Sequence, residues 1–132
     1  MIKFKNRAVE SAIQCELVKW LSQEYGDIEY YYNKNEGMKA KAVAMLDKRM
    51  GLIAGRVDMD LVKTVGELAY FLHLEIKTLE GGLNPNQIKY HAAFNPTKNR
   101  IIKVAYGFEE CKKTIIEWIE EINNLTAQQQ GK

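Results

Sequence analysis

The sequence predicts an α/β fold in which helices cover a mixed β-sheet. Segments with helical spacing of apolar residues alternate with short runs rich in β-branched and aromatic residues. The chain has 132 residues, of which 46% are hydrophobic, so it is long enough to bury one core. Its apolar runs stay well short of the ~18 residues that a membrane span needs, which excludes a membrane protein of that kind.

The first half of the chain predicts a helix, a strand and a second helix. Residues 8–25 carry apolar side chains at helical spacing, and Gly26 ends this pattern. Residues 28–32 are aromatic and β-branched, which is typical of a short strand. Residues 36–50 are rich in Ala, Lys and Met and stop at Gly51, which predicts the second helix.

The second half predicts three further strands and two further helices. Residues 57–62 and 70–78 have strand composition. Asn84 is a good N-cap and Pro85 fits the first helical position, so a third helix is expected to begin here and end near residue 94. The last two predicted elements are a strand and a helix with an apolar stripe, over residues 101–106 and 109–122.

These elements form one predicted domain, residues 1–125, followed by a flexible tail over residues 126–132. Two cysteines are too few for a disulfide scaffold, and the N-terminus lacks the apolar segment of a signal peptide. We therefore expect a cytoplasmic protein.

The net charge is only +2, but the charges are segregated along the chain. Basic residues predominate over residues 33–56 and 81–108, whereas acidic residues concentrate in residues 109–121. This pattern suits a nucleic-acid backbone, and it equally suits two ordinary solvated surfaces. The candidate phosphate contacts are Lys34, Lys39, Lys41, Lys48, Lys98 and Arg100.

Strand alternation places ionisable residues together on one face of the predicted sheet. Asp58 and Asp60 share a face of one strand, and His73, Glu75 and Lys77 share a face of the next. If these strands pair, two carboxylates form a hard oxygen site for Mg²⁺, beside a lysine that orients water for phosphodiester hydrolysis. The alternative is a solvated face with cross-strand ion pairs. Asp60 is expected to be an outer or surface residue.

Two further polar residues are candidates for the same site. Glu10 lies at the edge of an apolar helical stripe, where a partly buried carboxylate needs a cation or donors, although it is equally a rim glutamate paired with a lysine. Gln87 is either an active-site amide or the partner of Asn84 in a capping box. His73 and His91 lack zinc-ligand spacing and are predicted to be structural, with His73 placed to contact the site indirectly. No phosphate-binding glycine motif is complete, so no nucleotide cofactor is expected.

The ordered set of these residues resembles the VRR-NUC family of the PD-(D/E)XK nuclease superfamily over residues 9–122. The segments that carry the resemblance are Glu10-Ser11-Ala12-Ile13-Gln14, Asn35-Glu36-Gly37, Gly51, Gly55-Arg56-Val57-Asp58, Leu74-Glu75-Ile76-Lys77-Thr78, Gly81-Gly82-Leu83 and Gln87. Val57 stands where the family usually has proline, and the polar turn over residues 95–100 is longer than usual.

The resemblance implies a restriction-endonuclease-like core and a Mg²⁺-dependent DNA endonuclease, with Mn²⁺ as a substitute. Asp58 and Glu75 match the metal carboxylates, the Ile76 carbonyl a further ligand, and Lys77 the catalytic lysine. Glu10 matches a first-helix glutamate that reaches the metal directly or through water. Gln87 matches the glutamine after the Glu-x-Lys strand.

The absence of appended domains looks like the stand-alone members found in phages and bacteria. For those members the resemblance implies homodimers that act on branched DNA such as four-way (Holliday) junctions, in a bacterial or phage-infected cytoplasm. The competing hypothesis is a non-catalytic nucleic-acid-binding or protein-interaction module on the same fold.

Overall fold

The computed structural model describes residues 2–33, 45, 49 and 56–130, with side chains from residue 8 to residue 128 of these ranges. Its elements follow the predicted order. They are α1 (Ile2–Glu24), β1 (Glu29–Tyr32), β2 (Met59–Val65), β3 (Leu68–Lys77), α2 (Pro85–Ala93), β4 (Arg100–Tyr106) and α3 (Phe108–Gln130). The helix predicted over residues 36–50 lies outside the described residues, apart from positions 45 and 49, as do Lys34, Lys39, Lys41 and Lys48.

The four strands form one mixed sheet in the order β1-β2-β3-β4, which confirms the predicted class. β1, β2 and β3 pair antiparallel, whereas β4 runs parallel to β3. A two-residue loop joins β2 to β3, and Gly66 in that loop has φ +62°. Tight hairpins need positive φ in the loop, and glycine adopts it without a steric penalty.

One face of the sheet packs against α1 and α3 to form the core. Leu72 and Leu74 of β3 are buried there with Leu17 of α1 and Ile115 of α3. Each such side chain contributes about 1.5–3 kcal/mol on burial. The other face of β3 is also buried, yet it carries ionisable residues. Because buried ionisable groups are costly unless they are paired, this second face is where a function is expected.

Two helix boundaries differ from the sequence prediction. α1 begins at Ile2 rather than at residue 8, because apolar spacing marks only the part of a helix that packs on the core. α3 continues to Gln130, so the segment predicted as a tail from residue 126 is helical up to that residue. Leu125 packs against the core, and glutamine is a good helix former. No helix within the described ranges has the length and apolar character to cross a membrane.

Candidate active site

Asp58 is held at the point where the pairing of β2 with β3 ends. The last residue pair of this ladder is Met59 with Leu74, so the backbone of Ile76 lies beyond it. There the Ile76 N–H donates to Oδ2 of Asp58 at 2.8 Å. The N–H and C=O of a strand residue point to the same side, so the Ile76 carbonyl faces the Asp58 side as well.

Glu75 is the most deeply buried acid of the site, with 1% of its surface exposed. Burial, a hydrogen bond that the protonated Glu75 carboxyl donates to Asp58 and the negative charge of Asp58 raise the pKa of Glu75 to about 10, although the charge of Lys77 opposes the shift. Its Oε2 accepts from Gln87 Nε2 at 3.2 Å. Its Oε1 has no hydrogen-bond partner among the described residues. Two neighbouring carboxyl groups, one of them buried, favour a proton or a cation between their oxygens.

Lys77 lies on the same face of β3 and is buried with Glu75. Its Nζ is 4.0 Å from Oε2 of Glu10, which projects from α1. Both interpretations of Glu10 therefore apply together: it is a partly buried carboxylate, and the lysine that it faces is the predicted catalytic one. The Glu10 carboxylate therefore faces the Lys77 ammonium across the site.

Gln87 completes the predicted capping box and also contacts a carboxyl group of the candidate site. Its backbone N–H donates to Asn84 Oδ1 at 2.8 Å and its Oε1 accepts from the Asn84 N–H at 2.9 Å, which completes the capping box of α2. The Nε2 end of the same carboxamide donates to Glu75. One side chain therefore begins a helix and holds a site carboxylate.

His91 is a site residue that the sequence did not identify. It follows Gln87 by one helical turn in α2, and its Nε2 lies 3.6 Å from Oε1 of Glu75. Burial and the nearby charge of Lys77 lower the pKa of His91. Its position four residues after Gln87 was the available signal, because residues so spaced share one helix face.

The donor set around Asp58 suits a hard divalent cation. Asp58 and Glu75 supply carboxylate oxygens, one of which is buried without a hydrogen bond, and the Ile76 carbonyl faces the same side. Such oxygen ligands are those that Mg²⁺ prefers. Across the described residues, no three His, Cys, Asp or Glu side chains form a metal-ligand cluster, so a backbone oxygen or water would have to complete the set.

Asp60 is buried, so the surface alternative of its prediction is wrong. It is opposite His73 in the β2–β3 register, a pairing that the sequence does not specify. His73 Nδ1 lies 2.5 Å from Oδ1, Asn33 Nδ2 donates to Oδ2 at 3.0 Å, and Arg56 donates to Oδ2. Burial alone would raise the pKa of Asp60, but the hydrogen bonds from these three residues outweigh it and lower the pKa to about 2.

Because of this network, the free energy of unfolding depends on pH in the acidic range. Because the pKa of Asp60 falls from 3.8 to about 2 on folding, its contribution is complete above pH 3.8 and is lost as the pH falls through 2. We expect Asp60→Asn to lower the free energy of unfolding by about 2 kcal/mol at pH 7 and to reduce the loss of stability in acid. Denaturant titrations from pH 7 to pH 2 measure both effects, and an unchanged acid slope in the variant contradicts this assignment.

Of the predicted phosphate contacts, the described part of the chain contains Lys98 and Arg100. Lys98 is exposed in the turn before β4. Arg100 is half-buried at the first position of β4, and its Nε donates to His73 Nε2 at 3.1 Å. Arg100 is thus the one of the two whose orientation is determined by other side chains.

Comparison with known proteins supports the fold. The chain matches no protein-family model and no curated protein. It is similar to a solved structure described as a VRR_NUC domain protein, with 21% sequence identity and a TM-score of 0.61. The likeness covers 85% of this chain and 88% of the other. The mixed sheet flanked by helices is therefore the fold of a VRR_NUC domain, as the resemblance in sequence implies.

Proposed function

We propose that this protein is a metal-dependent endonuclease that hydrolyses phosphodiester bonds in DNA. The observation that carries the proposal is the carboxyl pair formed by buried Glu75 and half-buried Asp58 beside Lys77, on a fold shared with a VRR_NUC domain protein. A module that only bound nucleic acid would gain nothing from placing two acids side by side, because carboxylates repel phosphates.

Asp58, Glu75 and the Ile76 carbonyl would hold Mg²⁺ or Mn²⁺. Such an ion, when bound, polarises the scissile phosphate and lowers the pKa of a water. Lys77 orients the attacking water and stabilises the charge that develops on the phosphate. Glu10 holds Lys77 in place through the ion pair, and Gln87 fixes the Glu75 carboxyl group through its amide. A direct or water-mediated contact of Glu10 with the metal belongs to the same proposal.

We further propose that the active form is a homodimer selective for branched DNA such as four-way junctions. A two-fold dimer presents two equivalent sites, which suits cuts in two strands of one junction. Tyr31 and Tyr32 on the edge strand β1 are both more than half exposed, and amphipathic aromatic residues of this kind are enriched at protein interfaces. Light scattering after gel filtration tests the dimer, and a monomer at tens of micromolar contradicts the paired cut.

Cleavage of labelled DNA tests the proposed activity. Four-way junction, flap, nicked duplex and linear duplex are incubated with Mg²⁺, Mn²⁺ or EDTA. We expect cutting that needs the metal and is fastest on the junction. Equal rates on all four substrates would contradict the proposed selectivity for branched DNA but would still support nuclease activity. Binding without cutting in either metal would favour a non-catalytic binding module instead.

A further inference from the structure

Arg100 is fixed in place by two contacts of its guanidinium and by hydrogen bonds of its backbone. Its Nε donates to His73 Nε2 at 3.1 Å, and its Cζ lies 4.3 Å from the centroid of the Phe94 ring. Its backbone is held by hydrogen bonds to Thr97, at 2.8 Å to the Arg100 carbonyl and 3.3 Å from the Arg100 N–H. An arginine side chain normally loses much conformational freedom when it binds a ligand, and here that cost is already met in the fold.

His73 is held just as firmly, and its protonation is defined by its neighbours. Arginine only donates, so Nε2 of His73 accepts, and the ring proton lies on Nδ1 and is donated to Asp60. The ring stacks on Phe71, with 6.2 Å between the centroids, and meets Phe94 edge to face at 5.4 Å. Asp60 is in turn held by Asn33 and Arg56. The chain of contacts therefore leads from a buried carboxylate to an arginine at the start of β4.

The positive charge of Arg100 is not neutralised within this network. Other basic residues of the sheet region face acids, with Lys63 against Asp27 and Arg56 against Asp60. Arg100 instead contacts a neutral imidazole and an aromatic ring, and it forms no ion pair with a carboxylate within residues 8–33 and 56–128. The hydrogen bond to His73 uses only one of the five N–H donors of Arg100. The planar guanidinium can bind phosphate oxygens through two of its donors at once.

Arg100 lies on the same face of the sheet as the candidate active site. It is opposite Phe71 in the parallel β3–β4 register, and Glu75 is four residues further along β3. At about 3.3 Å per residue, this separation is roughly 13 Å along the strand. The distance is too long for both groups to contact one phosphate, but it suits two phosphates of one nucleic-acid strand that crosses the face.

We propose that Arg100 binds a non-scissile backbone phosphate of the nucleic acid, and that His73 and Asp60 are positioning residues that aim its guanidinium. The inference deepens the proposed function, since it assumes that the nucleic acid crosses the face that bears Glu75. It assigns to His73 and Asp60 a role in binding that is separate from the hydrolytic step.

Binding measured in EDTA tests this role without requiring cleavage. The probe is a fluorescently labelled four-way junction, with a linear duplex beside it, titrated at several salt concentrations. We expect Arg100→Gln to weaken binding on the order of tenfold and to reduce the salt slope by about one phosphate contact. Lys103→Gln is the matched control, because it removes one charge from an exposed position on the opposite face of β4. It is expected to bind like the wild type.

Two substitutions of His73 separate positioning from folding. His73→Asn keeps a donor toward Asp60 but removes the acceptor for Arg100, so we expect it to weaken binding as Arg100→Gln does. His73→Gln places an amide oxygen near the former Nε2 and is expected to restore much of the affinity. The double variant His73→Asn/Arg100→Gln should bind no more weakly than Arg100→Gln alone, because both changes remove the same contact. Melting curves confirm that each variant is folded.

The outcomes distinguish this inference from the proposed activity. If Arg100→Gln binds DNA with wild-type affinity and salt slope while the wild type still cleaves, the phosphate contact is wrong and the nuclease stands. Additive losses in the double variant overturn the positioning role of His73. If binding depends on Arg100 and His73 as expected but no metal supports cleavage, the inference holds and the nuclease is wrong.

Discussion

Lys77→Ala should abolish DNA cleavage while leaving DNA binding close to that of the wild type. The Lys77 ammonium is buried on the site face beside Glu75, where it can orient water and offset charge on the phosphate. Losing such a group lowers the rate at saturating substrate on the order of 10²–10⁴-fold. Single-turnover cleavage of labelled junction in Mg²⁺, together with binding in EDTA, measures the two properties separately.

Lys113→Ala is a suitable control for this experiment. Its side chain is 76% exposed on α3, where it lies 4.0 Å from Glu117. It removes the same charge from the chain without touching the site, so the cleavage rate should not change. Near-wild-type cleavage by a folded Lys77→Ala variant would show that Lys77 is not catalytic and would remove it from the proposed site.

Glu75→Gln should raise the melting temperature in EDTA and remove the stabilisation that Mg²⁺ or Mn²⁺ gives the wild type. Because burial and Asp58 raise the pKa of Glu75 to about 10, the carboxyl must take up a proton on folding at neutral pH, and the neutral amide avoids this cost. It also removes one of the proposed ligands. A ligand at 100 times its dissociation constant adds about 2.7 kcal/mol of stability, and this gain is what the variant would lose.

The same variant gives a signature in the pH dependence of stability. An acid whose pKa is raised by folding contributes full stability below its unfolded pKa of 4.5 and loses it as the pH rises toward the folded value. Wild-type melting temperatures in EDTA should therefore fall between pH 5 and pH 9, and those of Glu75→Gln should fall less. Glu117→Gln, on an exposed part of α3, is the matched control. A metal-induced shift that persists in Glu75→Gln would exclude Glu75 as a ligand.

Much of this site follows from patterns that repeat every two residues. Alternation along β3 placed His73, Glu75 and Lys77 on one face, and the structure shows all three buried there. What alternation does not specify is which residue of the next strand stands opposite. The pairing of Asp60 with His73 depends on the register of the β2–β3 hairpin, which the loop at Gly66 determines. The burial of Asp60 could therefore not be predicted from the sequence.

Helical spacing was informative to a similar extent. It identified the packed part of α1 and α3, because only residues that contact the core are held to an apolar pattern. The first residues of α1 and the last residues of α3 lie outside that apolar pattern and were missed. His91 was missed for a related reason, since its contact with Glu75 depends on how α2 sits over the sheet, which local sequence does not determine.

The contact between Gln87 and Glu75 limits which residue types can occupy position 87. A capping box accepts either glutamate or glutamine as the third helical residue, so the start of α2 would tolerate both. Glu75 does not, because a glutamate at position 87 would bring a third acid toward the Asp58–Glu75 pair in place of a donor. Helix capping alone would allow glutamine or glutamate at position 87, but the neighbouring acids allow only glutamine. The helix cannot change its first turn without also changing the electrostatics of the site.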